Sequence, residues 1–311
     1  MKMKSDPNIA QAADLVAQTL RGEQDAPVVR GFFHEPTFTA SYVVHDPATK
    51  SAAIIDSVLD FDQPSGRTAT EFADQMIAYI REGGLEVDFI LETHAHADHL
   101  SAAPYLQGEV GGEIVIGREI LTVQEVFGKV FNESAAFVRD GSQFDRLIED
   151  GETLSLGELE FIALHVPGHT PADLAYVVGD AVFVGDTMFM PDYGTARADF
   201  PGGDARTLFR SIRRLMALPE DTRVFLCHDY KAPGRNKFVW ETTIGAQRAR
   251  NVHAHDGIDE DDFVAMRTAR DATLGMPRLI LPSIQINMRA GHLPEPEDNG
   301  TRYLKLPLNS L

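Results

Sequence analysis

The stretch "ILETHAHADHL", Ile90 to Leu100, places His94, His96, Asp98 and His99 within six positions. No other feature of the chain restricts its fold as much. Histidine and aspartate lose hydration when crowded into an interior, so packing gives no reason for the cluster. A metal ion does, because neutral imidazole and carboxylate are usual ligands of zinc and iron, and one cation neutralises and orients the group. The cluster also needs a rigid carrier. "VDFILET" is a short apolar strand that ends on His94.

Three more strand-like runs end on residues of ligand type. "LEFIALHVPGHT" leads to His169, and "DLAYVVGDAVFVGDT" reads as a hairpin about Gly179-Asp180 whose second strand ends at Asp186. "TRVFLCHDY" ends at His228. His-x-His lets two rings converge on one ion, and Asp98 and His99 then fall beyond the turn, placed to serve a second. A lone His-x-His is weak evidence; H-x-H-x-D-H after an apolar strand, followed by three more strand-end ligands, is strong. His34, His45 and His165 read instead as core or surface residues, and His253 and His255 stand in a charged loop without partners.

The remaining pattern is mixed α and β. Residues 6–21 form an amphipathic helix with Asp6 as N-cap, Pro7 in the first turn, and Ile9, Val16 and Leu20 on one face. "TASYVVHDPATKSAAIIDS" is a hairpin turning at Asp46-Pro47. "TATEFADQMIAYIREGG" is a helix opened by a Thr68/Glu71 capping box, packed through Phe72, Met76, Tyr79 and Ile80, and stopped by Gly83-Gly84. "DARTLFRSIRRLMAL" is a helix with Leu208, Ile212 and Leu215 inward. Strand-rich segments alternate with helices in both halves, which suggests an α/β (α+β) fold with helices outside a central pair of sheets. Residues 1–29 are then an N-terminal helix on the core, 30–250 the main domain, and 251–311 an extension folded onto it.

Charge and composition exclude several functions. Forty-seven acids against 28 Lys and Arg give a formal charge of −19, the wrong sign for binding nucleic acid or anionic lipid. With 43% hydrophobic residues a substantial core is available. Cys227 is the one cysteine, so no disulfide forms within the chain, and strand alternation turns it away from His228. No apolar run reaches about eighteen residues and no apolar leader follows the opening lysines, so a soluble cytoplasmic protein is expected.

The order H-x-H-x-D-H, H, D, H across about residues 30–250 resembles the metallo-β-lactamase fold superfamily. That resemblance implies an αββα sandwich with the metal site at one edge between the sheets. The commonest zinc β-lactamases carry a cysteine where Asp186 stands, so the chain looks like the glyoxalase II and persulfide (sulfur) dioxygenase branch. "RADFPGG" at 197–203 and "CHDY" at 227–230 are similar to the R-x-D-F-x-x-G and A-H-D-Y elements of persulfide dioxygenases, and the tail resembles that of β-lactamase-like hydrolases linked to sulfide handling. Where that family has G-C-G before the arginine, this chain has "PDYGTA".

The resemblance implies one Fe(II) per chain held by His94, His169 and Asp186, and conversion of glutathione persulfide, O2 and water to sulfite and glutathione. His96, Asp98, His99 and His228 then orient the ligands, or hold a second ion. Asp56 is expected either to brace the metal loop or to serve as a turn residue. Arg197 offers a planar fork for a substrate carboxylate, with a salt bridge to Asp199 as the other use; Tyr230 is either a donor to substrate or a core tyrosine. The rival reading is a hydrolase of glutathione thioesters with one or two Zn(II), since every ligand for two ions is present. The resemblance also admits a homodimer.

Overall fold

The computed structural model describes residues 6–309. Its first half runs α1 (Pro7–Leu20), β1 (Val28–His34), β2 (Thr39–His45), β3 (Ser51–Ile55), β4 (Asp60–Asp62), β5 (Arg67–Ala69) and α2 (Glu71–Gly83). It continues through β6 (Glu86–Leu91), α3 (Ala103–Val110), β7 (Glu113–Gly117), α4 (Ile120–Val130) and β8 (Arg146–Ile148). The second half holds β9 (Thr153–Leu156), β10 (Leu159–His165), β11 (Leu174–Val178), β12 (Ala181–Phe183), α5 (Ala205–Leu215) and β13 (Arg223–Phe225). β14 (Glu241–Thr243), α6 (Ile244–Arg250), α7 (Glu260–Asp271) and α8 (Ile280–Asn287) complete it.

Two six-stranded sheets result, ordered β1-β2-β3-β6-β7-β8 and β14-β13-β12-β11-β10-β9, with β4-β5 as a separate ribbon. Side-chain alternation sorts their apolar residues into layers. Tyr42, Val44, Ile55, Leu91, Phe161, Tyr176 and Phe183 fill the space between the sheets. Val43, Ile54, Ile90 and Ile114 point the other way, against α2, α3, α4 and α8. Ile162, Leu164, Val177 and Val224 face outward from the second sheet, beneath α1, α5 and α7. This is the αββα order the sequence pattern implied.

Local rules set the boundaries, with two corrections. α1 begins as read, Asp6 accepting from the amides of Asn8 and Ile9, but Leu20 is exposed and Thr19 takes the inward position one residue earlier. The capping box at Thr68 does not form, because Thr68 belongs to β5; Thr70 is the N-cap of α2, and Asp60 accepts the Phe72 amide at 2.9 Å instead. At the far end Gly84 adopts φ 58°, the left-handed cap that glycine takes without a Cβ clash.

The last sixty residues divide between the two outer layers. α7 packs on α5, with Phe263 against Phe209 at 5.2 Å. Ile280, Ile284 and Met288 of α8 join the apolar layer over the first sheet. α8 thereby ends directly behind the loop that follows β6.

Candidate metal centre

Four strand ends meet at one edge of the sandwich: β6 leads to His94, β10 to His169, β12 to Asp186 and β13 to His228. The loop after β6 is fixed from two sides. Asp56, buried and in the left-handed region at φ 51°, accepts from the Thr93 amide at 2.8 Å, the Thr93 hydroxyl at 2.9 Å and His96 Nε2 at 3.0 Å. From the opposite side, Asn287 at the end of α8 donates to the carbonyls of His96 and His99 (2.8 and 2.7 Å) and accepts the Ser101 amide at 2.8 Å. Asn287 carried no signal in the sequence beyond its place in an apolar helix.

Hydrogen bonds on one nitrogen of each ring leave the other free. His94 Nδ1 lies 3.0 Å from the Thr93 hydroxyl, whose proton goes to Asp56. His169 Nδ1 donates to the Arg197 carbonyl at 2.8 Å, and His228 Nδ1 to the Phe38 carbonyl at 3.1 Å. A carbonyl only accepts, so both of these rings carry a proton on Nδ1 and turn Nε2 inward; burial opposes a charge on His228, but Asp98 and Asp186 hold it well above its ordinary value. Asp186 Oδ2 stands 3.9 Å from His94 Nε2 and 3.6 Å from His169 Nε2. The three ligand atoms lie within 4.8 Å of one another, close enough to share one ion.

A second group adjoins the first. His228 Nε2 is 3.2 Å from Asp98 Oδ2 and 3.4 Å from Asp186 Oδ1, and His99 Nδ1 is 3.5 Å from Asp98 Oδ1. Among the described residues, His94 Nε2, His96 Nδ1, Asp98 Oδ2, His99 Nε2, Asp186 Oδ1 and His228 Nε2 are buried without a hydrogen-bond partner, as is Glu92 Oε2 behind His96. Unpaired buried polar atoms are costly, and a bound cation relieves those that face it. The residues present therefore fit a metal. Burial and the surrounding imidazoles push His94 well below its ordinary value, and burial together with His96 lowers His99 to about 4, leaving both rings neutral as ligands must be. Burial opposes the charge of Asp98, but His228 and His99 hold its carboxyl far below the usual range.

The metallo-beta-lactamase superfamily profile matches residues 34–228, a span that contains every one of these ligands. The chain belongs to the metallo-beta-lactamase superfamily. Among its relatives, a probable metallo-hydrolase of Burkholderia pseudomallei is 59% identical over 91% of this chain and 99% of its own length. Glyoxylase B2 of Dictyostelium discoideum is 50% identical over 88% of this chain and 94% of its own. The human mitochondrial persulfide dioxygenase ETHE1 is 27% identical over 87% and 92%. Among solved structures, ETHE1 from Myxococcus xanthus superposes on 85% of this chain and 100% of its own, with a TM-score of 0.67 and 28% identity.

In this superfamily member the centre opens onto a cavity of about 400 Å³. Asp98, His169 and Asp186 form its floor; Phe38, Phe189, Tyr193, Phe200 and Tyr230 form an aromatic wall. Tyr193 comes from the "PDYGTA" segment, so that departure places a phenol beside Tyr230, ring centroids 5.3 Å apart. Tyr230 stacks on His228 at 5.6 Å, and among the described residues its hydroxyl makes no hydrogen bond. Arg197 also lines the cavity, but its fork is closed on Asp199 (2.5 and 2.8 Å) and its third nitrogen donates to the Gly275 carbonyl at 2.7 Å.

Two expectations are corrected here. Cys227 does not face away from the site: its sulfur lies within 4.8 Å of ligand atoms of both His228 and Asp186. β13 ends at Phe225, so strand alternation does not reach position 227. Nor is His253 without a partner. Its Nδ1 accepts the Thr195 amide at 3.0 Å and so pins the cavity wall, while His255 donates to the Asp256 carbonyl at 2.7 Å. Sequence reading also missed Glu92, whose Oε2 joins Asp56 in facing His96 Nε2, at 3.2 Å. Burial works against a charge on His96, but Asp56 and Glu92 hold it well above its ordinary value.

Among the described residues no helix is long and apolar enough to cross a membrane.

Proposed function

We propose that this enzyme is an iron-dependent persulfide dioxygenase acting on glutathione persulfide, with one Fe(II) held by His94, His169 and Asp186. The observation that carries the reading is the three-atom set of two Nε2 and one carboxylate oxygen, with His169 and Asp186 open to the cavity floor. Two histidines and one carboxylate on one face leave positions free on iron for a substrate sulfur and dioxygen. Full-length similarity to human persulfide dioxygenase ETHE1, and the superposition on the Myxococcus protein, support it.

The chain's own residues then have defined tasks. Thr93 and the Arg197 carbonyl keep His94 and His169 in one tautomer and orientation. The aromatic wall excludes water from the sulfur and leaves the Tyr230 hydroxyl to orient the substrate. Residues 6–29 and 251–309 act as parts of one domain with residues 30–250, since α1 packs on the second sheet and α7 and α8 complete the cavity and its back wall. We place the enzyme in the cytoplasm.

A second reading has its own support. The unpaired Asp98 Oδ2, His99 Nε2, His228 Nε2 and Asp186 Oδ1 would suit a second cation. With the likeness to Glyoxylase B2, this favours a binuclear zinc hydrolase of glutathione thioesters. Metal analysis of anaerobically purified protein, with nitric oxide added as a spectroscopic probe, separates the two. About one iron per chain with a ferrous–nitrosyl signal supports the dioxygenase, and two zinc ions without activity gained on iron reconstitution support the hydrolase.

A further inference from the structure

Tyr193 and Tyr230 reach the cavity from two separate loops, each rooted on a metal ligand. Tyr193 stands in the loop after Asp186 and Tyr230 in the loop after His228, and residues 187–204 and 229–240 lie outside helices and strands. One side chain spans both loops. Arg235 donates to Asp192 through Nε (2.7 Å) and Nη2 (3.0 Å), and to Asp229 through Nη1 (2.5 Å) and Nη2 (2.7 Å). Its Nη1 also donates to the Lys237 carbonyl at 3.0 Å, so all five N–H groups of the guanidinium are used. Asp229 is buried and accepts the amides of Lys231 (3.1 Å) and Val239 (2.8 Å) as well, which closes its loop on itself. The sequence prepares the arrangement. The Arg235 amide bonds the Ala232 carbonyl at 2.9 Å, and Gly234 at φ 88° takes the position of that turn where a side chain would be strained.

We propose that Arg235 is a positioning residue for the reaction at this centre: by clamping Asp192 to Asp229 it holds Tyr193 and Tyr230 as one wall beside the metal ligands. Asp192 adjoins Tyr193 and Asp229 adjoins Tyr230, so a shift of either carboxylate moves the neighbouring phenol. The rings are already in register, with Tyr193 and Tyr230 5.3 Å apart and Phe189 5.8 Å from each. Two carboxylates drawn together repel unless a cation stands between them, and the planar guanidinium meets each with a different edge. Lysine is a point charge and cannot grip both in that way. Asp192 belongs to "PDYGTA", so the segment that departs from the persulfide dioxygenase pattern brings in the phenol and its anchor together. Placement matters because a misplacement of about 1 Å costs about a hundredfold in rate. The inference rests on the proposed function only for the choice of turnover to be measured.

Arg235→Lys keeps the charge and removes the fork. Hydrogen–deuterium exchange on the metal-loaded variant should speed up about tenfold in both segments, 189–194 and 231–239, with the strand amides unchanged. Its kcat/KM should fall about ten- to a hundredfold, read as oxygen uptake or as thioester cleavage according to which the wild type performs. In a Tyr193→Phe/Tyr230→Phe background the same substitution should cost far less, because the hydroxyls it places are gone. Asp192→Asn, which leaves Asp229 paired, is the milder variant should Arg235→Lys fold poorly. It should loosen 189–194 and show the same non-additivity. Faster exchange confined to 231–239 in Arg235→Lys, or a loss of activity that is undiminished in the double-phenylalanine background, overturns the proposal. Thioester turnover in place of oxygen uptake would refute the dioxygenase reading and leave the part of Arg235 standing.

Discussion

His169 Nδ1 donates to the carbonyl oxygen of Arg197 at 2.8 Å, while the Arg197 guanidinium grips Asp199 and the Gly275 carbonyl. The arginine side chain thus holds the backbone that orients a metal ligand. A substrate carboxylate would have to displace Asp199 to reach the fork, so on the proposed reading Arg197 acts on substrate through the ligand it positions.

Arg197→Ala is therefore expected to lower metal affinity and kcat about ten- to a hundredfold, the range for groups that orient ligands. Metal content and steady-state constants measured together decide the point. A full metal complement with only KM raised would return Arg197 to direct carboxylate binding.

Asn287→Ala should leave the His96 and His99 carbonyls and the Ser101 amide without partners inside the protein. Each buried group left unsatisfied costs about 1–3 kcal/mol, partly relieved by water entering the gap, so a loss of about 3 kcal/mol is expected. Urea unfolding reads it directly. Retention of wild-type stability and metal content would show that the loop holds its shape without α8.

The metal loop was legible in the sequence because its chemistry is local: six positions carry four ligand-type residues, and an apolar strand delivers them. His169, Asp186 and His228 followed from the same rule, that a strand end projects a side chain. Asn287, Glu92 and the inward turn of Cys227 were not legible, since each depends on packing between segments far apart in the chain. Helix ends near irregular backbone were also misplaced, as at Thr68, where Asp60 from a neighbouring strand supplies the cap that local pattern assigned to the helix itself. α7 and α8 escaped notice among prolines and charges, although they complete the cavity.

His253 links wall and pH. Burial, with Arg267 and Arg270 nearby, lowers it to about 4 from 6.5, so the folded protein keeps a neutral ring that accepts the Thr195 amide. Between those values the unfolded chain binds the extra proton, so this contribution is full above about pH 6.5 and is lost as pH falls toward 4. Discounted for the ring's partial exposure to solvent, it amounts to no more than about 2 kcal/mol. In His253→Gln, stability between pH 4 and 6.5 should vary less than in wild type; an unchanged pH dependence would show that the ring has no part in it.

Asp98→Ala distinguishes one ion from two. With iron at His94, His169 and Asp186, the variant should keep its metal and lose activity about ten- to a hundredfold. With a second ion shared by Asp98, His99 and His228, the metal content should fall by half. Elemental analysis of variant and wild type prepared side by side reads the difference.

Oxygen consumption by the iron-reconstituted enzyme supplied with glutathione persulfide, run beside anaerobic hydrolysis of lactoyl-glutathione, tests the central claim most directly. The dioxygenase account predicts one O2 consumed for each sulfite formed, abolished in His94→Ala, His169→Ala and Asp186→Ala, with no appreciable thioester cleavage. Thioester turnover that needs no oxygen and disappears with Asp98→Ala would contradict it.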